Sequence, residues 1–333
     1  MPVGTDPGAT ITEELEAHRR GLTGYCYRML GSGSEAEDAV QETMVRAWRN
    51  AETLQEPAAL KSWLYRIASN VCFDMLQTPQ RRALPMDLGP ASGADAALGA
   101  ALDSWVQPIA DARVLPGADA GDPAEIAAGR ETLRLAFVAA LQHLPARQRA
   151  VLILREVLRW QASEVAELLD TSVASVNSAL QRARATLEAL DLDAASSTAD
   201  VGDDAAQQDL LARYVDAFER YDMTELVALL QHDAAFSMPP FPLWVQGPGD
   251  IVTFMTTTGA KCEGSKVLTT AANGGPAFGI YNPVDGGAGG YAPWAVVVME
   301  TSGGKVSGLH HFIYPELFAQ FGLPDRLEPD RAG

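Results

Sequence analysis

The sequence predicts a multidomain protein in which two all-α domains, a helical bundle and a helix-turn-helix, are followed by an α+β domain. Three observations carry that prediction. Residues 12–82 and 130–190 place apolar side chains at three-to-four-residue spacing, the signature of helices with one buried face. Beyond residue 230 the pattern changes to short apolar runs punctuated by glycine and proline, as in a run of strands. Two stretches with little periodicity, 83–128 and 191–204, separate the three blocks and read as acidic linkers rich in small residues. A chain of 333 residues suits two or three domains of ~100–200 residues each.

In the first block Gly31-Ser32-Gly33-Ser34 is the one obvious break. Ser34 is expected to cap the helix that follows, where Glu35, Glu37 and Asp38 meet the positive end of the helix dipole. Val40, Met44 and Trp48 are expected to form its buried stripe, leaving Asp38, Gln41, Glu42 and Arg46 exposed. A loop from Leu54 to Ala59 leads to a helix from Lys61 to Leu76, with Trp63, Leu64, Ile67 and Val71 inward. In the first linker Trp105-Val106-Gln107-Pro108-Ile109 is the only hydrophobic spot, equally suited to a docking anchor or to a fragment of local structure.

In the second block the helical pattern breaks once, at Asp170-Thr171. Ala162, Val165, Ala166 and Leu169 give the helix before the break a buried face, and Val173, Val176, Leu180, Ala183 and Leu187 do so for the helix after it. The second helix turns Ser175, Asn177, Ser178, Gln181, Arg182 and Arg184 outward. Short hydrogen-bonding groups near a helix N-terminus reach base edges in a major groove, and the later guanidinium groups stand at the height of the phosphates. An amphipathic hairpin with a solvated face has the same periodicity.

The third block opens with a helical stripe of Leu210, Leu211, Tyr214, Phe218, Leu226 and Leu229. The runs AAFSMPPFPLWV, IVTFMTTTG, SKVLTTAANGGPAFGIYN, YAPWAVVVMET and KVSGLHHFIYP then read as antiparallel strands, closed by a helix in PELFAQFGL. On a strand, His310 and His311 point to opposite faces, so one of them at most lines a pocket easily.

The net charge of −18 argues against a general nucleic-acid coat. Only residues 130–190 are net positive, with 8 basic and 6 acidic groups, so an isolated DNA binder would hold phosphate weakly and a larger assembly is expected. Cys26, Cys72 and Cys262 are far apart and form no CxxC or Cys/His cluster, which suggests buried free thiols and neither a zinc site nor a disulfide framework; no metal and no cofactor are expected. No apolar signal core and no run of ~18 apolar residues is present, so a cytoplasmic protein is expected.

Residues 12–82, with EAEDAVQETMVRAW and KSWLYRIASNVCFDML, resemble region two of bacterial extracytoplasmic-function sigma factors of the sigma-70 family, and 130–190, with LPARQRAVLILREV and SEVAELLDTSVASVNSALQRAR, resemble region four. Residues 205–325, with MPPFPLW, PAFGIYN and HHFIYPELFAQFGLP, are similar to the SnoaL-like domains, with the cone-shaped NTF2 fold, that are fused to some of these factors. The resemblance implies an alternative sigma factor, not an enzyme, that binds core RNA polymerase and directs initiation at chosen promoters. It implies that Asp38, Gln41 and Glu42 meet the clamp helices of the largest subunit, with the flap region a further contact. Lys61, Arg66, Asn70, Arg81 and Arg82 would serve the minus-ten element, and Ser172, Ser175, Asn177, Ser178, Gln181, Arg182 and Arg184 the minus-thirty-five element. The 83–128 linker would pass near the RNA channel of the polymerase, and the C-terminal domain would regulate activity in cis.

That domain also admits a small-ligand sensor or a cyclase- or isomerase-like enzyme. Phe236, Met238, Trp244, Tyr281, Trp294 and His310 are its candidate pocket, and His311, Asp233 and Glu300 the further acid/base groups. A polymerase-independent helix-turn-helix regulator is the remaining alternative, and it leaves 12–82 unexplained.

Overall fold

A computed structural model of the chain describes residues 7–54, 56–77, 82–116, 122–190 and 204–329. It divides into two compact units, the first of Met1–Arg82 with Ala112–Leu192 and the second of Ala83–Asp111 with Asp193–Gly333. Arg81 and nearly all of the 191–204 linker lie outside the described residues.

The first unit begins with helices α1 (Pro7–Leu30), α2 (Gly33–Arg49) and α3 (Leu60–Met75). Gly31, at φ +72°, lets the chain reverse at once after α1, so the capping position falls on Ser32 and not on Ser34. The Ser32 hydroxyl accepts the Glu35 N–H at 3.3 Å. The buried face of α2 is Ala36, Ala39, Val40, Thr43 and Ala47. Small side chains let α1 and α2 approach closely, and the stripe Ala36, Val40, Thr43, Ala47 sets Trp48 one residue, about 100°, round the helix. Trp48 is therefore 64% exposed instead of buried. In α3, Leu64, Tyr65, Ala68, Val71 and Cys72 are buried, whereas Trp63 and Ile67 are only half-buried.

The same unit continues with α4 (Pro123–Glu131), α5 (Leu135–Leu141), α6 (Ala146–Leu152), α7 (Ala162–Leu168) and α8 (Val173–Glu188). A π-helical turn, Ile153–Val157, follows α6. Between α7 and α8 Asp170 takes φ +49°, a conformation aspartate tolerates, and Thr171 N–H closes the turn on the Ala166 carbonyl at 2.9 Å. Two arginines join the earlier and later parts of this unit. Arg149 donates to the Gln142 side chain at 2.7 Å, to the Leu144 carbonyl at 3.1 Å and to the Met29 carbonyl. Arg28 donates to Thr132 Oγ1 at 2.7 Å and to the Thr132 carbonyl at 3.1 Å. Burial pushes both guanidinium groups down to about 10.

The second unit carries α9 (Asp204–Glu219), α10 (Met223–Leu229), β1 (Leu230–Ser237), β2 (Trp244–Gln246), α11 (Pro248–Thr256), β3 (Lys266–Ala272), β4 (Gly275–Pro283), β5 (Tyr291–Ser302), β6 (Lys305–Phe312) and α12 (Leu317–Gln320). Its six strands form one sheet in the order β2-β1-β6-β5-β4-β3, antiparallel except for the parallel β1–β6 pair. The run IVTFMTTTG is a helix and not the expected strand. Pro248 opens it, Asp250 lies in its first turn, and Ile251, Phe254 and Met255 turn one face to the core. On one face of the sheet Phe236, Phe278, Ile280, Val297, Met299 and Leu309 pack with Leu210, Tyr214 and Phe254 of the helices, which makes the core of an α+β cone.

Residues 83–111 differ from the structureless linker expected there. They form a strap on this sheet. Trp105 is 1% exposed and its indole N–H donates to the Pro240 carbonyl at 2.7 Å. Ile109 N–H bonds Asn273 Oδ1 at 3.1 Å, and Asn273 N–H returns to the Ile109 carbonyl at 3.1 Å. Trp244 Nε1 donates to the Gly89 carbonyl at 3.0 Å. Trp105 is thus the anchor that its apolar neighbourhood suggested, and composition concealed the rest because the strap's bonds at Ile109 and Gly89 run from its backbone N–H and C=O groups. Trp105→Ala should lower the unfolding free energy by roughly 3–5 kcal/mol in a urea titration of the full chain. A loss below about 1 kcal/mol would show that the strap is not held there.

Candidate nucleic-acid and polymerase interface

Helix α8 starts from an N-cap built into the turn. The Ser172 hydroxyl accepts the Ser175 N–H at 3.1 Å and lies 2.9 Å from the Ser175 hydroxyl. Val176, Ala179, Leu180 and Ala183 are its buried face, while Val173 is 44% exposed and so does not belong to it. In α7 it is Leu168 that is buried, with Leu169 half-buried, because the chain leaves the helix there. Ser172, Ser175, Asn177, Ser178, Gln181, Arg182 and Arg184 are all exposed. Arg184 is held by Glu156, on the π-helical turn, at 2.5 Å. Both side chains are about half exposed, so the pair is weak and can exchange for a phosphate.

On α3, Lys61, Arg66 and Asn70 are exposed. Two of them already have partners from the later part of the same unit. Lys61 Nζ lies 5.6 Å from the centre of the Trp160 ring, and Arg66 donates to the Glu167 carbonyl of α7 at 3.1 Å. Trp160 also packs on Tyr65, ring centres 5.2 Å apart. Arg82 does not reach solvent as expected. It is 7% exposed and its guanidinium holds Glu35 at 2.5 Å, since leaving a buried cation unpaired is costly.

On α2, Asp38, Gln41 and Glu42 are exposed, and Glu42 accepts from Arg46 at 2.7 Å. Beside them lies a cleft of about 460 Å³ between α1 and α2, lined by Leu15, Glu16, Arg19, Gln41, Met44, Val45, Trp48 and Arg49. Trp48 escapes a sequence reading because an apolar side chain one step off the stripe counts as core in a periodicity argument. Its immediate neighbours Arg49 and Asn50 are the signal that it stands in a polar setting.

In the cone, the six candidate pocket residues do not line one cavity. Phe236 and Met238 are in the packed core, and Trp244 sits at the strap. Tyr281 packs on Phe318 with ring centres 5.0 Å apart, and its hydroxyl donates to the Pro324 carbonyl at 2.9 Å. His310 shares the other sheet face with Ser237 and Glu300, its Nδ1 2.9 Å from Ser237 Oγ and its Nε2 3.4 Å from Glu300 Oε2. Strand alternation instead turns His311 to the helix-covered face, where its ring lies 4.3 Å from Phe236 and 6.2 Å from Trp294. Asp233 is exposed. Among the described residues no cluster of His, Cys, Asp or Glu could hold a metal ion, and no helix is long and apolar enough to cross a membrane.

The family comparisons match this architecture block by block. Sigma-70 region 2 matches residues 15–82, Sigma-70 region 4 matches 134–187, and the Nuclear transport factor 2 (NTF2) domain matches 206–287. Two sigma-70 regions followed by an NTF2 domain define the class. The ECF RNA polymerase sigma factor SigG of Mycobacterium tuberculosis is 43% identical over 321 residues, which is 95% of this chain and 85% of that protein. SigJ of the same species is 27% identical over 94% of this chain and 95% of its own length. The crystal structure of SigJ has the same fold, with a TM-score of 0.60 at 23% identity over 94% of this chain and 100% of that one. The chain belongs to the extracytoplasmic-function RNA polymerase sigma factors and carries an NTF2 domain at its C-terminal end.

Burial and the neighbouring His310 push His311 down to about 3, from an ordinary value near 6.5, so the folded cone keeps it neutral. The unfolded chain takes up a proton there below about pH 6.5. Stability should therefore fall as the pH drops from about 6.5 toward 3, by about 2 kcal/mol at pH 5 from this residue. Urea titrations at pH 7 and pH 5 should show His311→Phe losing less stability than the wild type on acidification. An equal loss would remove His311 as the cause.

Proposed function

We propose that this protein binds core RNA polymerase through the exposed face of α2 and directs it to promoters that α8 and α3 read. The observation that carries the proposal is one compact unit that offers both surfaces. Asp38, Gln41 and Glu42 stand in a row on α2, and the polar side chains from Ser172 to Arg184 stand on the open face of the capped helix α8. Carboxylates and an amide suit a basic helical partner, and the cleft with Trp48 at its rim adds an apolar anchor beside them. The acidic balance of the chain fits this arrangement, because the polymerase supplies most phosphate contacts and the sigma factor supplies the choice of sequence.

Lys61 and Arg66 serve the minus-ten element in this proposal, so their interactions with Trp160 and Glu167 give way when the two sigma regions separate on the polymerase. The cone acts on that step in cis. It holds residues 83–111, the segment that joins the two regions, and so limits how far they part. A small molecule bound by the cone would tune the same limit.

Charge reversal at Asp38 and Glu42 should weaken binding to purified core polymerase at least tenfold while far-ultraviolet circular dichroism stays unchanged. Unaltered affinity would assign that face to solvent. On α8, Asn177→Ala and Gln181→Ala should change the preference among minus-thirty-five sequences, by ~1–3 kcal/mol for each bidentate hydrogen-bond pair to a base that is removed. Arg182→Ala should lower holoenzyme binding almost uniformly and reduce its salt dependence. The opposite pattern would mean that α8 enters the groove in another orientation.

A further inference from the structure

Helix α8 sets an apolar side chain in line with the polar ones that read bases in the function proposed above. Among the described residues of α8, Val173 is the one large apolar side chain left exposed, at 44%. A single exposed valine on a protein surface needs no explanation, but this one has a definite place in the helix. Val173, Asn177 and Gln181 are four residues apart, so they form one ridge along α8, and all three are exposed.

The ridge begins at Val173, the first helical residue after the Ser172 cap. Side chains lean toward the N-terminus of a helix, so Val173 projects at its tip. The two hydroxyl groups of the first turn face each other: Ser172 Oγ accepts the Ser175 N–H at 3.1 Å and lies 2.9 Å from Ser175 Oγ. Ala174, also exposed, adds a methyl group beside Val173. The tip of the ridge is therefore apolar, and its polar reach starts one turn later, at Asn177.

A recognition helix puts its N-terminal residues on base edges in the major groove. Every base pair presents hydrogen-bonding groups there, and the apolar group among them is the C5-methyl of thymine. Against any other edge Val173 would cover a polar atom without pairing it, which is unfavourable. We propose that Val173 packs on the C5-methyl group of a thymine in the minus-thirty-five element and so selects thymine at that position. Cytosine, which lacks the methyl group, is the pyrimidine it rejects. The inference rests on the proposed role of α8 and adds the base that its apolar tip reads.

The test uses holoenzyme assembled from purified core polymerase and the full chain, on a promoter at which it initiates. Each thymine of the minus-thirty-five element, on either strand, is replaced in turn by deoxyuridine, which removes the methyl group and keeps every hydrogen-bonding atom. Wild-type holoenzyme should lose about fourfold in affinity at one position, the contribution of one methyl-sized group taken out of water. Val173→Ala should bind the thymine and uracil forms of that position alike. A valine that only supported the start of the helix would behave differently, since its loss would weaken both forms equally and leave the methyl dependence in place. That result, or a wild-type holoenzyme indifferent to every methyl group, would overturn the inference and leave promoter recognition by α8 standing. Failure to initiate at any promoter would remove the proposed function, and this inference with it.

Discussion

A guanidinium group almost wholly removed from water must find acceptors, and in the first unit the two terminal nitrogens of Arg149 find them on both sides of the sequence divide. The Met29 carbonyl comes from the C-terminal end of α1, and the Gln142 side chain and Leu144 carbonyl come from the turn between α5 and α6. A helix end with spare carbonyls is a natural site for a cation. Breaking such a node strands a buried charge, so it tolerates few alternatives. Arg28, the residue before Met29 on α1, repeats the device with Thr132 as its partner. Together they join the two sigma regions into one body, and the interactions of Lys61 and Arg66 with Trp160 and Glu167 follow from that union. Lys61 and Arg66, exposed on α3, are thus engaged by the later part of the same unit.

The second unit rests on a different economy. Its core is ordinary apolar packing, but the strap is held by donors and acceptors at the sheet's ends, of which Trp105 to Pro240 and the Ile109–Asn273 pair are the firmest. Apart from Trp105 the strap contributes backbone groups to these bonds, which is why a stretch rich in alanine, glycine and aspartate takes a fixed place. The segment joining the sigma regions is consequently part of the cone. In the function we propose, regulation by that domain needs no separate signal relay, only a change in how tightly it keeps the strap.

Much of this is legible in the sequence. Helical periodicity locates α2, α3 and α8, and the alternation of β6 separates His310 from His311 before either face is known. Trp48 is misplaced by periodicity because α1 and α2 meet through alanines, whose small apolar signal is overlooked beside a tryptophan. Val173 is misplaced for a similar reason, since the first residue after an N-cap has not yet turned onto the buried face. Arg82 reads as solvent-facing because its partner Glu35 is 47 residues away, and no local rule links them. The strap and the helix α11 escape where tertiary hydrogen bonding and a proline start outweigh composition.

The central claim is that the two sigma regions act through the polymerase and not as a free DNA-binding protein. Run-off transcription from a genomic promoter library, with purified core enzyme in the presence and absence of this protein, tests it most directly. The account predicts a defined set of transcripts that appears only when both are present, together with weak, salt-sensitive binding of the isolated protein to the same duplexes. Tight, sequence-specific binding by the isolated protein without any new transcript would contradict it.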